Sequence, residues 1–174
     1  MLDIQIRKAT LSDLSLLKMI SIQTFTETFA AVNTEANIET YITNNLNEKV
    51  LIKELANKQS AFYLALKNDT IVGYLKINWG AAQTESLKGD VLEIHRIYVL
   101  QEFKGKKIGQ HLLLEAIAIA RRKELEYLWL GVWENNHNAL AFYKKNDFIA
   151  FGTHNFTLGE GEQTDLLLKL QLKK

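Results

Sequence analysis

The chain has 174 residues, a net charge of +1 and no cysteine. That length suits one domain with a substantial core. The near-neutral charge argues against a nucleic-acid binder that relies on electrostatics, and the missing cysteines exclude disulfides, thiolate nucleophiles and thiolate metal sites.

The opening MLDIQIRKATLSDL lacks the basic-then-apolar layout of a signal peptide. No apolar run approaches the ~20 residues that span a bilayer. A soluble, cytoplasmic protein of one domain, residues 1–174, without a membrane or nucleic-acid partner, is expected.

IQIRKA alternates Ile4 and Ile6 with polar residues, which predicts a half-buried strand. A helix follows, with Thr10 or Ser12 as cap and Leu14, Leu17 and Ile20 at helical spacing. A second helix is predicted near Glu35–Leu46, with Ile38, Tyr41 and Ile42 on one face. A third runs from about Glu48 to Asn57, with Leu51 and Leu55 inward. AFYLALK and IVGYLKINW alternate and flank Asn68-Asp69-Thr70, which reads as a hairpin.

GAAQTESLKGD reads as a loop and VLEIHRIYVL as a strand. Lys107–Lys123 places Leu112, Leu113, Ala116, Ile117 and Ala120 at helical spacing. YLWLGVW is apolar enough for a strand covered on both faces. NNHNALAFYKKND reads as a short helix. FIAFGTHNF and TDLLLKLQL read as strands around a turn at Gly159-Glu160-Gly161. The order predicts an α+β fold: a mixed, mostly antiparallel sheet of about seven strands, flanked by helices.

Between a strand and a helix, LQEFKGKKIGQ combines Gly105 and Gly109 with Lys104, Lys106 and Lys107. Free N–H groups, the positive end of a helix dipole and three lysines make an anion site, most naturally for phosphate. The competing reading is a solvated basic turn. The loop is neither a Walker loop nor a dinucleotide fingerprint.

IYVLQEFKGKKIGQHLL together with NNHNALAFYKKNDF, whose Asn136, Ala139, Phe142, Tyr143 and Phe148 fall at fixed offsets, resembles the GCN5-related N-acetyltransferase (GNAT) superfamily. TFTETF, GVWENN, FYKK, THNF and EQTD are similar to its PaiA-like spermidine/spermine acetyltransferases. Two positions depart from the superfamily pattern. Lys107 stands where its first glycine falls, and is tolerable there with a negative φ. Asp147 stands where glycine precedes the phenylalanine, at an expected left-handed helix end.

The resemblance implies acetyl-coenzyme A as co-substrate, no metal, a small-molecule amine as acceptor, and a possible homodimer. It implies that Lys104, Gly105, Lys106, Lys107, Ile108, Gly109 and Gln110 hold the pyrophosphate. Ile97, Tyr98 and Val99 would offer backbone to the pantetheine arm at a bulge, with Asn136 opposite. Lys145 reaches a phosphate or is simply solvated. Tyr143 sits at the family's acid position.

Glu93 and His95, just upstream of the cofactor strand, are candidates to take the amine's proton, each set against a plain structural role. Acids and aromatics suit alkyl ammonium ions. Phe25, Glu27, Phe29, Glu35, Glu39 and Tyr41, with Trp133, Glu134, Asp165 and His154, are the acceptor-side candidates. The expected activity is acetyl transfer to a primary amine, spermidine or spermine first. The alternatives are another amine (a protein N-terminus, an amino acid or an aminoglycoside) or a coenzyme A-binding module without turnover.

Overall fold

The computed structural model describes residues 4–158 and 161–172; Gly159 and Glu160 of the expected turn lie outside them. The strands are β1 (Gln5–Lys8), β2 (Ser60–Lys67), β3 (Thr70–Trp79), β4 (Val91–Val99), β5 (Tyr127–Trp133), β6 (Ile149–Leu158) and β7 (Gly161–Gln171). The helices are α1 (Leu14–Phe29), α2 (Glu35–Asn45), α3 (Glu48–Ala56), α4 (Ile108–Arg122) and α5 (His137–Lys145). The strands form one sheet in the order β1-β2-β3-β4-β5-β7-β6. Only β4 and β5 pair in parallel; every other neighbour is antiparallel. Among the described residues no helix is long and apolar enough to cross a membrane.

The β2–β3 turn shows how local chemistry sets this frame. Asn68 and Asp69 both take positive φ, 47° and 62°. A two-residue turn of that hand matches the twist of the strands it joins, and these residue types tolerate the conformation. Thr70 joins β3 rather than the turn.

Each sheet face carries its own core. On one side α4 lays Leu112, Leu113, Ala116 and Ala120 against Leu75, Ile77, Leu92, Ile94, Leu128 and Leu130. On the other, Leu17 and Ile20 of α1 and Leu51 of α3 meet Phe62, Leu64 and Tyr74. A smaller cluster of Phe25, Ile38 and Leu46 ties α2 to the end of α1. The buried polar side chain Thr24 returns its hydroxyl to Ile20 O at 2.7 Å, so it costs the core no unpaired donor.

The entry to α1 is clamped. Asp13 ends a 3-10 turn opened by Thr10 and accepts the Thr10 N–H at 2.8 Å. Arg7 on β1 donates to both its oxygens, at 2.9 and 2.7 Å. Its hydrogen bonds from Arg7 outweigh burial and hold the Asp13 carboxyl down to about 2. A depressed carboxyl stabilises the fold fully above its unfolded value of ~3.9 and loses that contribution as pH falls toward the folded value. Asp13→Asn should therefore cost about 1–2 kcal/mol at neutral pH, discounted because Arg7 is partly exposed. In chemical denaturation the gap between variant and wild type should close between pH ~4 and ~2. A gap that stays constant across that window would contradict the clamp.

Candidate active site

β4 and β5 pair only across Val91–Tyr127, Leu92–Leu128 and Glu93–Trp129, and then part. The cause lies one strand away. Arg96 pairs with Lys76 and Ile94 with Ile77, so His95 is an extra residue in β4 with no partner on β3. Such a bulge bends its strand and re-aims the side chains beyond it. Before it, Leu92 and Ile94 face α4; after it, Ile97 and Val99 do. Leu100 donates to Val72 O at 3.0 Å. Antiparallel alternation then turns the main-chain groups of Ile97 and Val99 away from β3, toward the gap. A cleft of about 290 Å³ opens there, with Ile94–Tyr98 on one bank and Leu130–Trp133 on the other.

α5 supplies one wall. Asn136 Oδ1 caps the helix by accepting the Ala139 N–H at 3.2 Å, which leaves its amide NH₂ beside the cleft. Two turns on, Tyr143 is 6% exposed and reaches the cleft between Phe142 and Phe148, ring centroids 5.2 and 5.4 Å away. No hydrogen bond ties its hydroxyl to another described residue. Burial pushes the phenol well above its ordinary value, so it is protonated at neutral pH. The helix ends on Asp147 at φ 64°, the left-handed position expected for it.

The loop before α4 is exposed and its backbone is largely unspent. Lys104 and Lys106 donate back to Gln101 and Phe103. No acceptor among the described residues meets the N–H groups of Gly105, Lys107, Ile108, Gly109 and Gln110. Gly105 (φ 77°) and Lys107 (φ 65°) are both left-handed. Such alternation makes a concave nest of N–H groups, here at the positive end of a 15-residue helix. The negative φ expected at Lys107 is thus corrected: the helix entry needs a left-handed residue, and lysine bears the strain. Lys106 Nζ rests 4.8 Å over the Phe103 ring. Gln110 Nε2 donates to Asn146 Oδ1 at 2.8 Å and joins α4 to α5.

The floor is charged. Glu54 on α3 receives Lys76 Nζ at 2.5 Å and Arg96 at 2.8 and 3.1 Å, so one carboxylate serves two buried cations. Burial first, then Arg96, pull the Lys76 ammonium down to about 8. The His95 imidazole is held well below its usual value by burial, Lys76 and Arg96, and is neutral at physiological pH. Its Nδ1 is buried without a partner. Glu93 is 2% exposed and saturated: it accepts from Asn78 Nδ2 at 2.9 Å, from Thr84 N at 3.0 Å and from the Thr84 hydroxyl. It pins the segment between β3 and β4 instead of facing the cleft with a free oxygen. That segment carries Glu85, whose Oε1 lies 2.6 Å from His154 Nδ1.

The expected acceptor residues divide. Phe25, Phe29, Tyr41, Trp133, His154 and Asp165 line the cleft, with Phe25 stacked on Tyr41 at 4.1 Å. Glu27 does not: it accepts the Gln101 N–H at 2.8 Å and Gln23 at 3.0 Å, anchoring α1 to the loop after β4. Glu35 and Glu39 lie on the exposed side of α2, and Glu134 and Lys145 are exposed, outside the cleft lining. YLWLGVW is covered on both faces at Trp129, which is buried against Val91 and Leu167, and opens to the cleft only toward its end, at Gly131 and Trp133. The reading missed Glu54, Arg96, Thr84, Glu85 and Gln163. Lys76 and Arg96 inside apolar strands were the available signal, since a buried cation demands a partner.

The acetyltransferase (GNAT) family model matches residues 23–148. An uncharacterized N-acetyltransferase from the pepI 3′ region of Lactobacillus delbrueckii subsp. lactis is 36% identical over 172 residues, 99% of each chain. A spermidine N(1)-acetyltransferase of Thermoplasma acidophilum is 30% identical over 151 residues, covering 84% of this chain and 89% of that one. The crystal structure of the PaiA N-acetyltransferase of Thermoplasma acidophilum in complex with coenzyme A superposes with a TM-score of 0.81 at 26% identity, over 98% of this chain and 99% of that one. The chain belongs to the acetyltransferase (GNAT) family and is an N-acetyltransferase.

Proposed function

We propose that the protein transfers an acetyl group from acetyl-coenzyme A to a primary amine of a small polyamine. The observation that carries this reading is the protonated, unpartnered Tyr143 hydroxyl at the gap where β4 leaves β5. The spermidine N(1)-acetyltransferase relative supports the acceptor class.

The residues present fit the co-substrate. The N–H nest at Gly105–Gln110 suits a diphosphate, with Lys104 and Lys107 as added charge. The backbone of Ile97 and Val99, unpaired toward the gap, suits an extended amide-bearing arm, and the Asn136 NH₂ can bind from the other bank. When bound, acetyl-coenzyme A supplies a thioester carbon open to attack. The His95 imidazole, neutral and lining the cleft, accepts the proton of the attacking amine. A backbone N–H of Ile97 or Val99 receives the charge that grows on the carbonyl oxygen. Tyr143 gives its proton to the departing sulfur and regains one from solvent. Glu93 acts one step back, holding Thr84 and the edge of the site.

Thiol release measured with a panel of polyamines, amino acids, aminoglycosides and peptides tests the acceptor class; the highest kcat/KM should fall to a polyamine, and a peptide or amino-acid preference would overturn it. Tyr143→Phe should lower kcat by about a hundredfold or more, with coenzyme A affinity within threefold of wild type. An unchanged kcat across the pH range would remove Tyr143 from the acid role.

Lys107→Gly separates backbone from side chain. Relief of the left-handed strain should raise thermal stability by up to about 1 kcal/mol, and coenzyme A affinity should fall less than tenfold if the N–H groups hold the anion. A larger loss of affinity would show the ammonium to be the principal contact.

A further inference from the structure

The cleft is electrically lopsided. At its α1–α2 end Phe25 and Tyr41 stand beside Arg96, and Arg96 shares the Glu54 carboxylate with Lys76. A cationic chain gains little beside two cations held by one carboxylate. The opposite end is built from β7 and the segment before β4. Asp165 faces Trp133 across the β5–β7 ladder and His154 across β6–β7. Gly131 leaves the neighbouring stretch of β5 bare: a Cβ there would stand 3.4 Å from Asp165 Oδ2, so the carboxylate lies over open strand. No described residue donates a hydrogen bond to the Asp165 carboxylate. Gln163 Oε1 is buried and also lacks a donor. The two are i and i+2 on one strand, so they share a face at a spacing of ~7 Å. A buried oxygen without a donor, as at Gln163, carries a desolvation cost that a donor-rich ligand removes. Burial raises the Asp165 carboxyl more than His154 lowers it, a remaining penalty that a cation alongside would offset.

We infer that Gln163 and Asp165, joined by Glu85, form a subsite for a second ammonium group of the acceptor. The charged tail thus runs toward the β6–β7 hairpin, away from the acids of α1 and α2. This inference rests on the polyamine reading above. His154 holds Glu85 through Oε1, which fixes one side of the subsite.

The test is thiol release by the full chain with n-butylamine and with putrescine, which differ by the second ammonium. The readout is the ratio of their kcat/KM values. In Asp165→Asn the ratio should fall at least tenfold toward the monoamine, mostly through the putrescine KM. Gln163→Leu should move it the same way, and stands in should Asp165→Asn fold poorly. Substantial putrescine turnover with a ratio unmoved in both variants overturns the subsite alone. No release with any di- or polyamine, alongside turnover of amino acids or peptides, overturns the polyamine reading and the subsite with it.

Discussion

One extra residue in β4 governs the site. Lys76 pairs with Arg96 and Ile77 with Ile94, which leaves His95 between them as the inserted residue. Four features follow from the bulge: the strand bends, β5 is released after Trp129, the backbone of Ile97 and Val99 loses its neighbour, and an imidazole is left in the opening. The cost is a main-chain edge without partners inside the fold. Buried backbone groups are almost always paired, so an edge of this kind is a site waiting for a strand-like ligand.

Around that opening the charges are arranged by burial as much as by sequence. Glu54 reaches from α3 to fix Arg96 and Lys76 beneath the bulge. Burial first, and then their fields, keep His95 neutral. Glu93, although adjacent in sequence, is fully engaged by Asn78 and Thr84 and works as a strut. Glu93 and His95, two positions apart, look interchangeable as proton acceptors in a linear reading; their hydrogen-bond partners separate them.

Much of the frame was legible in the residues. The Asn68-Asp69 turn, the α4 stripe of Leu112, Leu113, Ala116 and Ala120, and the left-handed end at Asp147 each follow from local chemistry. The acceptor side was less so: Phe25, Phe29, Tyr41, Trp133, His154 and Asp165 line the cleft, and the acids of the early helices do not. Glu27, Glu35 and Glu39 looked suitable because they sit near Phe25 and Tyr41 in sequence, but a helix distributes such neighbours around its whole circumference. Glu27 turns to the Gln101 N–H instead. Asp165 was among the candidates, but its place over Gly131 comes from the β5–β7 register, and Gln163, two residues before it, drew no notice; that long-range relation is in no window of sequence.

The central claim is that coenzyme A replaces the missing neighbour of β4 and caps α4. Amide chemical-shift mapping during a coenzyme A titration tests it most directly. The largest shifts and the greatest gain in exchange protection should fall on the N–H groups of Ile97, Val99, Ile108, Gly109 and Gln110, with the β2–β3 ladder nearly unmoved. Saturable binding that leaves those five amides unchanged would contradict the account.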